Sequence, residues 1–287
     1  MAISSETVKN LREKTGAGMM DCKRALEATD GDMEKAIEYL RKKGAATAEK
    51  RADRVANQGI VVTKVSDGGE LGVIVEINSE TDFVARSSDF IQFANNVTEV
   101  VEQKKPKSIE ELLALPYAGG LTVSDALSEL IGKIGEKIAI KRFDVLVADK
   151  GVIEAYTHMG SKIGVLVELG TATMSHDAKT VARDIAMQAA AMNPSVVARE
   201  HVQKDVIERE LDIYRQQAKN EGKPAPIVDR VATGRLEKYF QEVVLLEQSF
   251  IKDASKTIKD VLHEMSSKMN DTLVIRRFKR YQLGEDK

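Results

Sequence analysis

Two constant offsets run through this chain and restrict its fold more than any other feature. Gly59-Ile60-Val61 returns as Gly151-Val152-Ile153, and Gly72-Val73-Ile74-Val75-Glu76-Ile77 as Gly164-Val165-Leu166-Val167-Glu168-Leu169, both 92 residues on. Farther along, Thr122-Val123-Ser124-Asp125-Ala126-Leu127 matches Thr257-Ile258-Lys259-Asp260-Val261-Leu262, and Lys141-Arg142-Phe143 matches Arg276-Arg277-Phe278, both at 135. Such spacings describe two copies of one supersecondary unit, strand–strand–helix then helix–strand. The second copy carries an insertion of 43 residues, the difference between the two offsets.

The expected fold is therefore a duplicated α+β unit with antiparallel sheets. In the first copy (59–143), strands over 60–65 and 71–78 turn at Asp67-Gly68-Gly69. They pack on a helix beginning at Ser88, whose buried stripe is Phe90, Phe93, Ala94, Val97 and Val101. The second copy occupies 144–282. Its insertion, near 197–240, spaces Ile207, Leu211, Tyr214 and Ala218 helically, breaks at Gly222-Lys223-Pro224-Ala225-Pro226, and is apolar again from Val228. That pattern predicts an antiparallel helical hairpin. An arm of this kind contacts a partner or a second copy, or is simply docked on its own core.

Ahead of the repeats, residues 1–45 predict a head of three helices over 5–14, 19–28 and 32–43. Thr15-Gly16-Ala17-Gly18 and Asp30-Gly31 separate them, and Met33, Ala36, Ile37 and Leu40 form the stripe of the third. Gly44 is expected to end that helix. Residues 46–58, with Lys50, Arg51 and Arg54, read as a solvated linker helix.

At 287 residues the chain has room for two or three units. Its 43 basic and 45 acidic residues leave a net charge of −2, without the cationic excess that nucleic-acid binding usually requires. The single cysteine, Cys22, cannot form an internal disulfide. No cationic and apolar leader opens the sequence, and no run approaches the roughly 20 apolar residues of a membrane span. A cytoplasmic protein is expected. His158, His176, His201 and His263 lack metal-ligand spacing, and there is neither a phosphate-cradling Gly-x-x-x-x-Gly-Lys loop nor a Gly-x-Ser-x-Gly elbow. No metal, cofactor or bound nucleotide is expected, and no catalysis; only His158 near Glu154 hints at acid–base chemistry, and a surface ion pair explains that more simply.

One segment has no counterpart in the repeat. Ser79-Glu80-Thr81-Asp82-Phe83-Val84 follows the first copy's second strand, where the second copy reads Thr171-Ala172-Thr173-Met174-Ser175. An acidic–aromatic pair demanded by the fold would stand in both copies. Asp82-Phe83 on a connection offers an apolar wedge beside an anion, suited to another protein; alternatively, Phe83 caps its local core. The spacing leaves both open.

The stretches Leu11-Arg12-Glu13-Lys14-Thr15-Gly16-Ala17-Gly18-Met19-Met20-Asp21-Cys22-Lys23 and Asn78-Ser79-Glu80-Thr81-Asp82-Phe83-Val84-Ala85 resemble the elongation factor Ts family. So do His158-Met159-Gly160, Ala186-Met187-Gln188, Gly234-Arg235 and Gln248-Ser249-Phe250. The resemblance spans about 3–282; Thr233 departs from it where members often carry Glu, and the hairpin is only loosely similar. It implies a ubiquitin-associated-like head, a two-lobed core, a coiled-coil hairpin and a C-terminal module from about 264. It also implies a non-enzymatic guanine nucleotide exchange factor in translation elongation, whose partner is the GTPase elongation factor Tu. Arg12, Met19 and Met20 would belong to the head contact. Thr81, Asp82, Phe83 and Val84 would form the loop that intrudes near the Mg2+ and phosphates, and His158 and Gly160 a second partner segment. A homodimer or a dimer of heterodimers is compatible with this. The alternative is a ubiquitin-like-binding or scaffold module without exchange activity, against which the head's single occurrence argues.

Overall fold

A computed structural model describes residues 3–158 and 160–285. The head is α1 (Ser5–Thr15), α2 (Met19–Ala28) and α3 (Met33–Arg51). Ser4 caps α1 by accepting the Thr7 amide, and Asp32 caps α3 by accepting the amides of Glu34 and Lys35. Val8, Leu11, Cys22, Ala25, Leu26 and Ala36 close a small core between the three helices.

The first copy then runs β1 (Gln58–Val65), β2 (Leu71–Ser79), a single turn α4 (Asp82–Ala85), α5 (Ser88–Lys104), α6 (Ile109–Ala114), α7 (Val123–Ile134) and β3 (Ile138–Val147). The second runs β4 (Val152–Thr157), β5 (Ile163–Gly170) and α8 (His176–Met192). The arm α9 (Lys204–Asn220) and α10 (Ala225–Val243) follows, then a small hairpin β6 (Ser249–Phe250) and β7 (Asp253–Thr257). The chain closes with α11 (Ile258–Met269) and β8 (Val274–Gln282). The fold is α+β.

Each copy forms a three-stranded antiparallel sheet, ordered β1-β2-β3 and β4-β5-β8. Because β8 pairs with β5, the segment from 264 onward lies within the second copy's own helix and sheet. Equivalence reaches single residues. Thr122 and Thr257 begin α7 and α11 with the same capping box and the same backbone angles, φ −87° and ψ 165°. Both central strands shift register after a buried glutamate, at Glu76/Ile77 and Glu168/Leu169. Arg142 Nε donates to Glu76 at 2.7 Å, and Arg277 Nε to Glu168 at 2.6 Å.

Burial orders the layers. One face of the first sheet, with Val73, Val75 and Ile77, packs under Phe90, Phe93 and Val97 of α5 and Val123 and Ile131 of α7. The matching face of the second, with Val165, Val167 and Leu169, packs under α8 and α11. The remaining faces meet each other, Val61, Ile74 and Leu146 from one sheet against Ile153, Leu166 and Tyr281 from the other. These are three equivalent pairs, so the stack is helix–sheet–sheet–helix about a pseudo-twofold. Covered on both sides, β2 and β5 are buried almost throughout instead of on alternate residues, Glu76, Asn78 and Glu168 included. Gly72 and Gly164 let the sheets approach: a Cβ on the first would lie 2.6 Å from Ile153 Cγ2, and on the second 2.6 Å from Val61 Cγ1.

The glycine expected to end the third helix does not end it. Gly44 is buried inside α3, which continues to Arg51 through residues read as linker. A Cβ there would lie 2.7 Å from the Ser128 carbonyl oxygen, and one on Gly132 would lie 3.0 Å from Gly44 Cα. Its role is close crossing of α3 over α7, which joins the head to the first copy with help from Arg41 on Glu129 at 2.7 Å. The arm is an antiparallel hairpin, as its periodicity predicts. Ile207, Leu211 and Tyr214 of α9 meet Leu236, Phe240 and Val243 of α10, and Arg215–Asp229 and Arg235–Glu221 cross between the helices at 2.7 Å each.

Candidate functional site

The connection from β2 to α5 is fixed at both ends. Thr81 donates its amide to Glu136 Oε2 at 3.0 Å and its hydroxyl to Glu136 Oε1 at 2.8 Å, while its hydroxyl oxygen accepts the Val84 amide. Ser79 Oγ donates to the Thr81 carbonyl at 2.9 Å. At the other end Ala85 is buried and Val84 packs against the first copy's core. Between these anchors Asp82 opens α4 and pairs with Arg86 at 3.0 Å.

Phe83, the second residue of that turn, is 83% exposed, more than any other large apolar side chain among the described residues. It does not cap the local core. Burial would stabilise such a ring by about 2 kcal/mol, so the exposure is a cost with no return inside this chain.

The second copy shows what the fold itself requires here. Asp271, 135 residues after Glu136, accepts the Thr171 hydroxyl at 2.6 Å and the amides of Ala172 and Thr173 at 3.0 Å. The Thr171 hydroxyl, and then those amides, hold its carboxyl below the usual aspartate range. The carboxylate anchor is therefore common to both copies, whereas the exposed acidic–aromatic pair belongs to one. The sequence reading missed Glu136, although the 135 offset applied to Ile134-Gly135-Glu136 and Met269-Asn270-Asp271 carries the signal. It also missed the partners of Glu80, which accepts the Lys137 amide at 2.6 Å and faces Arg51 and Arg54. The Lys137 amide first, then Arg54, hold its carboxyl below the usual glutamate range.

On the head, Arg12 is exposed on α1, and Met19 and Met20 are 44% and 58% exposed in the first turn of α2, while Cys22 of the same helix turns inward. No hydrogen bond or ion pair among the described residues joins these three to residues 81–84. His158 and Gly160 lie on the β4–β5 turn, with Met159 outside the described residues. His158 Nδ1 lies 3.1 Å from the Tyr156 hydroxyl, so its neighbour is that phenol and not Glu154. Gly160 adopts φ 81° beside open space, so it serves the turn and not a close contact. The turn rests on the first copy, Ser161 accepting the Val61 amide at 2.7 Å. The candidate residues thus fall on three elements: the head, the Phe83 turn and the His158 turn.

No group of three or more His, Cys, Asp or Glu side chains among the described residues could hold a metal, and no helix there is long and apolar enough to cross a membrane. An uncovered aromatic on an anchored turn and exposed methionines on the head are the kind of surface that docks on another protein.

The comparisons with known proteins make the class specific. The family model described as elongation factor Ts matches residues 80–285. The chain is 51% identical to elongation factor Ts of Chloroherpeton thalassium over 286 residues, 99% of each chain. It is 48% identical to elongation factor Ts of Chlorobium phaeobacteroides over 285 residues, 98% of this chain and 99% of the relative. Over 283 residues it is 47% identical to that of Clostridium perfringens, 99% of this chain and 93% of the relative. The chain belongs to the elongation factor Ts family.

Proposed function

We propose that the chain docks on GDP-bound elongation factor Tu in the cytoplasm and promotes GDP release during translation elongation by disturbing the GTPase's Mg2+ and phosphate site. One observation carries this reading: the fully presented Phe83 on a turn anchored at both ends. Guanine nucleotides are held by phosphate-cradling amides, a lysine and Mg2+, so release is slow unless several contacts loosen together. Arg12, Met19 and Met20 supply docking energy. Phe83, with Asp82 beside it, enters between the elements that position the metal, and Thr81 and Val84 hold it in place. His158 and Gly160 mark a second contact. Coupling is reciprocal: the factor by which this chain lowers nucleotide affinity is the factor by which nucleotide lowers the chain's affinity. GDP or GTP therefore dissociates the complex.

The deciding experiment follows release of a fluorescent GDP from elongation factor Tu of the same source, with excess unlabelled GDP, with and without this chain. Acceleration by orders of magnitude at substoichiometric chain is expected. No acceleration by folded chain would overturn the reading and favour a scaffold, whose ubiquitin binding is tested in parallel. Assembly as a homodimer or a dimer of heterodimers, through the arm where Ile213 is 42% exposed, is read by sedimentation of the chain alone and of the complex.

A further inference from the structure

Glu80 stands one residue before the anchored turn and reaches in the opposite direction, to the end of the head's longest helix. Its carboxylate accepts the Lys137 amide at 2.6 Å, Arg54 Nη1 at 3.2 Å and Arg51 Nη1 at 3.4 Å. Lys137 answers with its ammonium, which donates to the carbonyls of Ala52 at 2.6 Å and Arg54 at 2.7 Å. On the neighbouring residue, Glu136 accepts both the amide and the hydroxyl of Thr81. Residues 80–81 and 136–137 are thus interlocked, each segment holding the other's backbone amide, and the lock closes over the last turn of α3.

The duplicated unit supplies its own control. Glu136 has its equivalent in Asp271, which anchors the corresponding turn, but Glu80 is matched by Ala172 and Lys137 by Thr272. The unit folds without this joint in the copy that has no head to hold. What Glu80 and Lys137 add is specific to the copy that carries both the head and Phe83.

We propose that Glu80 is a positioning residue for nucleotide exchange: with Lys137, Arg51 and Arg54 it makes the end of α3 and the Phe83 turn one stiff piece, so that head docking drives the aromatic into the GTPase. This rests on the exchange reading above. Docking of one end raises the effective concentration of the other over any short connection, but delivers it in the productive pose only when that connection is stiff and correctly aimed. With the joint cut, the head still docks, but Phe83 arrives over a spread of positions.

The test measures catalysed GDP release from elongation factor Tu against GTPase concentration, for the wild-type chain and for Glu80→Ala, which installs the residue the second copy already tolerates. The expected result is a maximal rate lowered about tenfold with KM within about twofold of wild type. Lys137→Ala should do the same, and the double variant should fall well short of the product of the two, because both substitutions cut one joint. Arg54→Ala, at a half-exposed side chain whose loss does not threaten folding, should lower the rate in the same direction by about threefold, and it decides the matter if Glu80→Ala does not fold. An unchanged maximal rate, or a change confined to KM, would overturn the inference while leaving the exchange reading intact. A wild-type chain that accelerates nothing would overturn both.

Discussion

Phe83 contributes nothing to burial, so Phe83→Ala should alter unfolding stability by less than about 0.5 kcal/mol while slowing maximal GDP release at least about thirtyfold, as loss of an aromatic anchor worth about 2 kcal/mol does. Denaturant unfolding and exchange kinetics on one preparation test the two halves together. Arg12→Ala and Met20→Ala should act on KM instead. Glu80 links the site to pH. Its carboxyl is held below its ordinary value of 4.5, chiefly by the Lys137 amide, so the stabilisation is complete above that value and disappears as pH falls through the depressed native one. Thermal melts from pH 7 to pH 3 should therefore show the gap between wild type and Glu80→Ala closing only in acid. A gap that stayed constant would mean that the carboxylate's charge is irrelevant to the joint.

Among the elements, α3 shows where pattern reading succeeds and where it stops. Its apolar stripe of Met33, Ala36, Ile37 and Leu40 was legible because a helix must bury one face, and all four pack in the head's core or against it. Its length was not, because glycine has two meanings. Gly44 suits a helix stop, yet it sits mid-helix so that the Ser128 carbonyl can approach, and only the partner element reveals which meaning applies. Gly44→Val should cost about 1–3 kcal/mol by overpacking and loosen the head from α7; a melting temperature unchanged from wild type would refute the close-packing account. The Phe83 turn divides in the same way. That it was not dictated by the fold could be argued from its absence in the second copy. That Phe83 points outward depended on Glu136, 53 positions further along the chain, and local spacing carries no such information.

For the whole molecule, the duplication and the antiparallel hairpin of each copy were readable from the offsets, but the pairing of each last strand with the middle one and the mutual packing of the sheets were not, since nothing in the spacing says which face of each sheet meets the other. The answer lies in Val61, Ile74 and Leu146 against their own equivalents, with Gly72 and Gly164 placed to permit contact. Gly72→Ala and Gly164→Ala should each cost about 1–3 kcal/mol by similar amounts, and each variant should unfold in a single urea transition because the interface belongs to both copies at once. Two separate transitions would show the copies to be independent. A lone copy would hold its inner sheet face in water and find its best cover in another lone copy, paired about a true twofold. In such a dimer every substitution appears twice, and an arm or a protruding aromatic gained on one side is imposed on the other. Joining both copies in one chain lifts that obligation, so one half can specialise for reaching outward while the other keeps the plain turn and grows the arm.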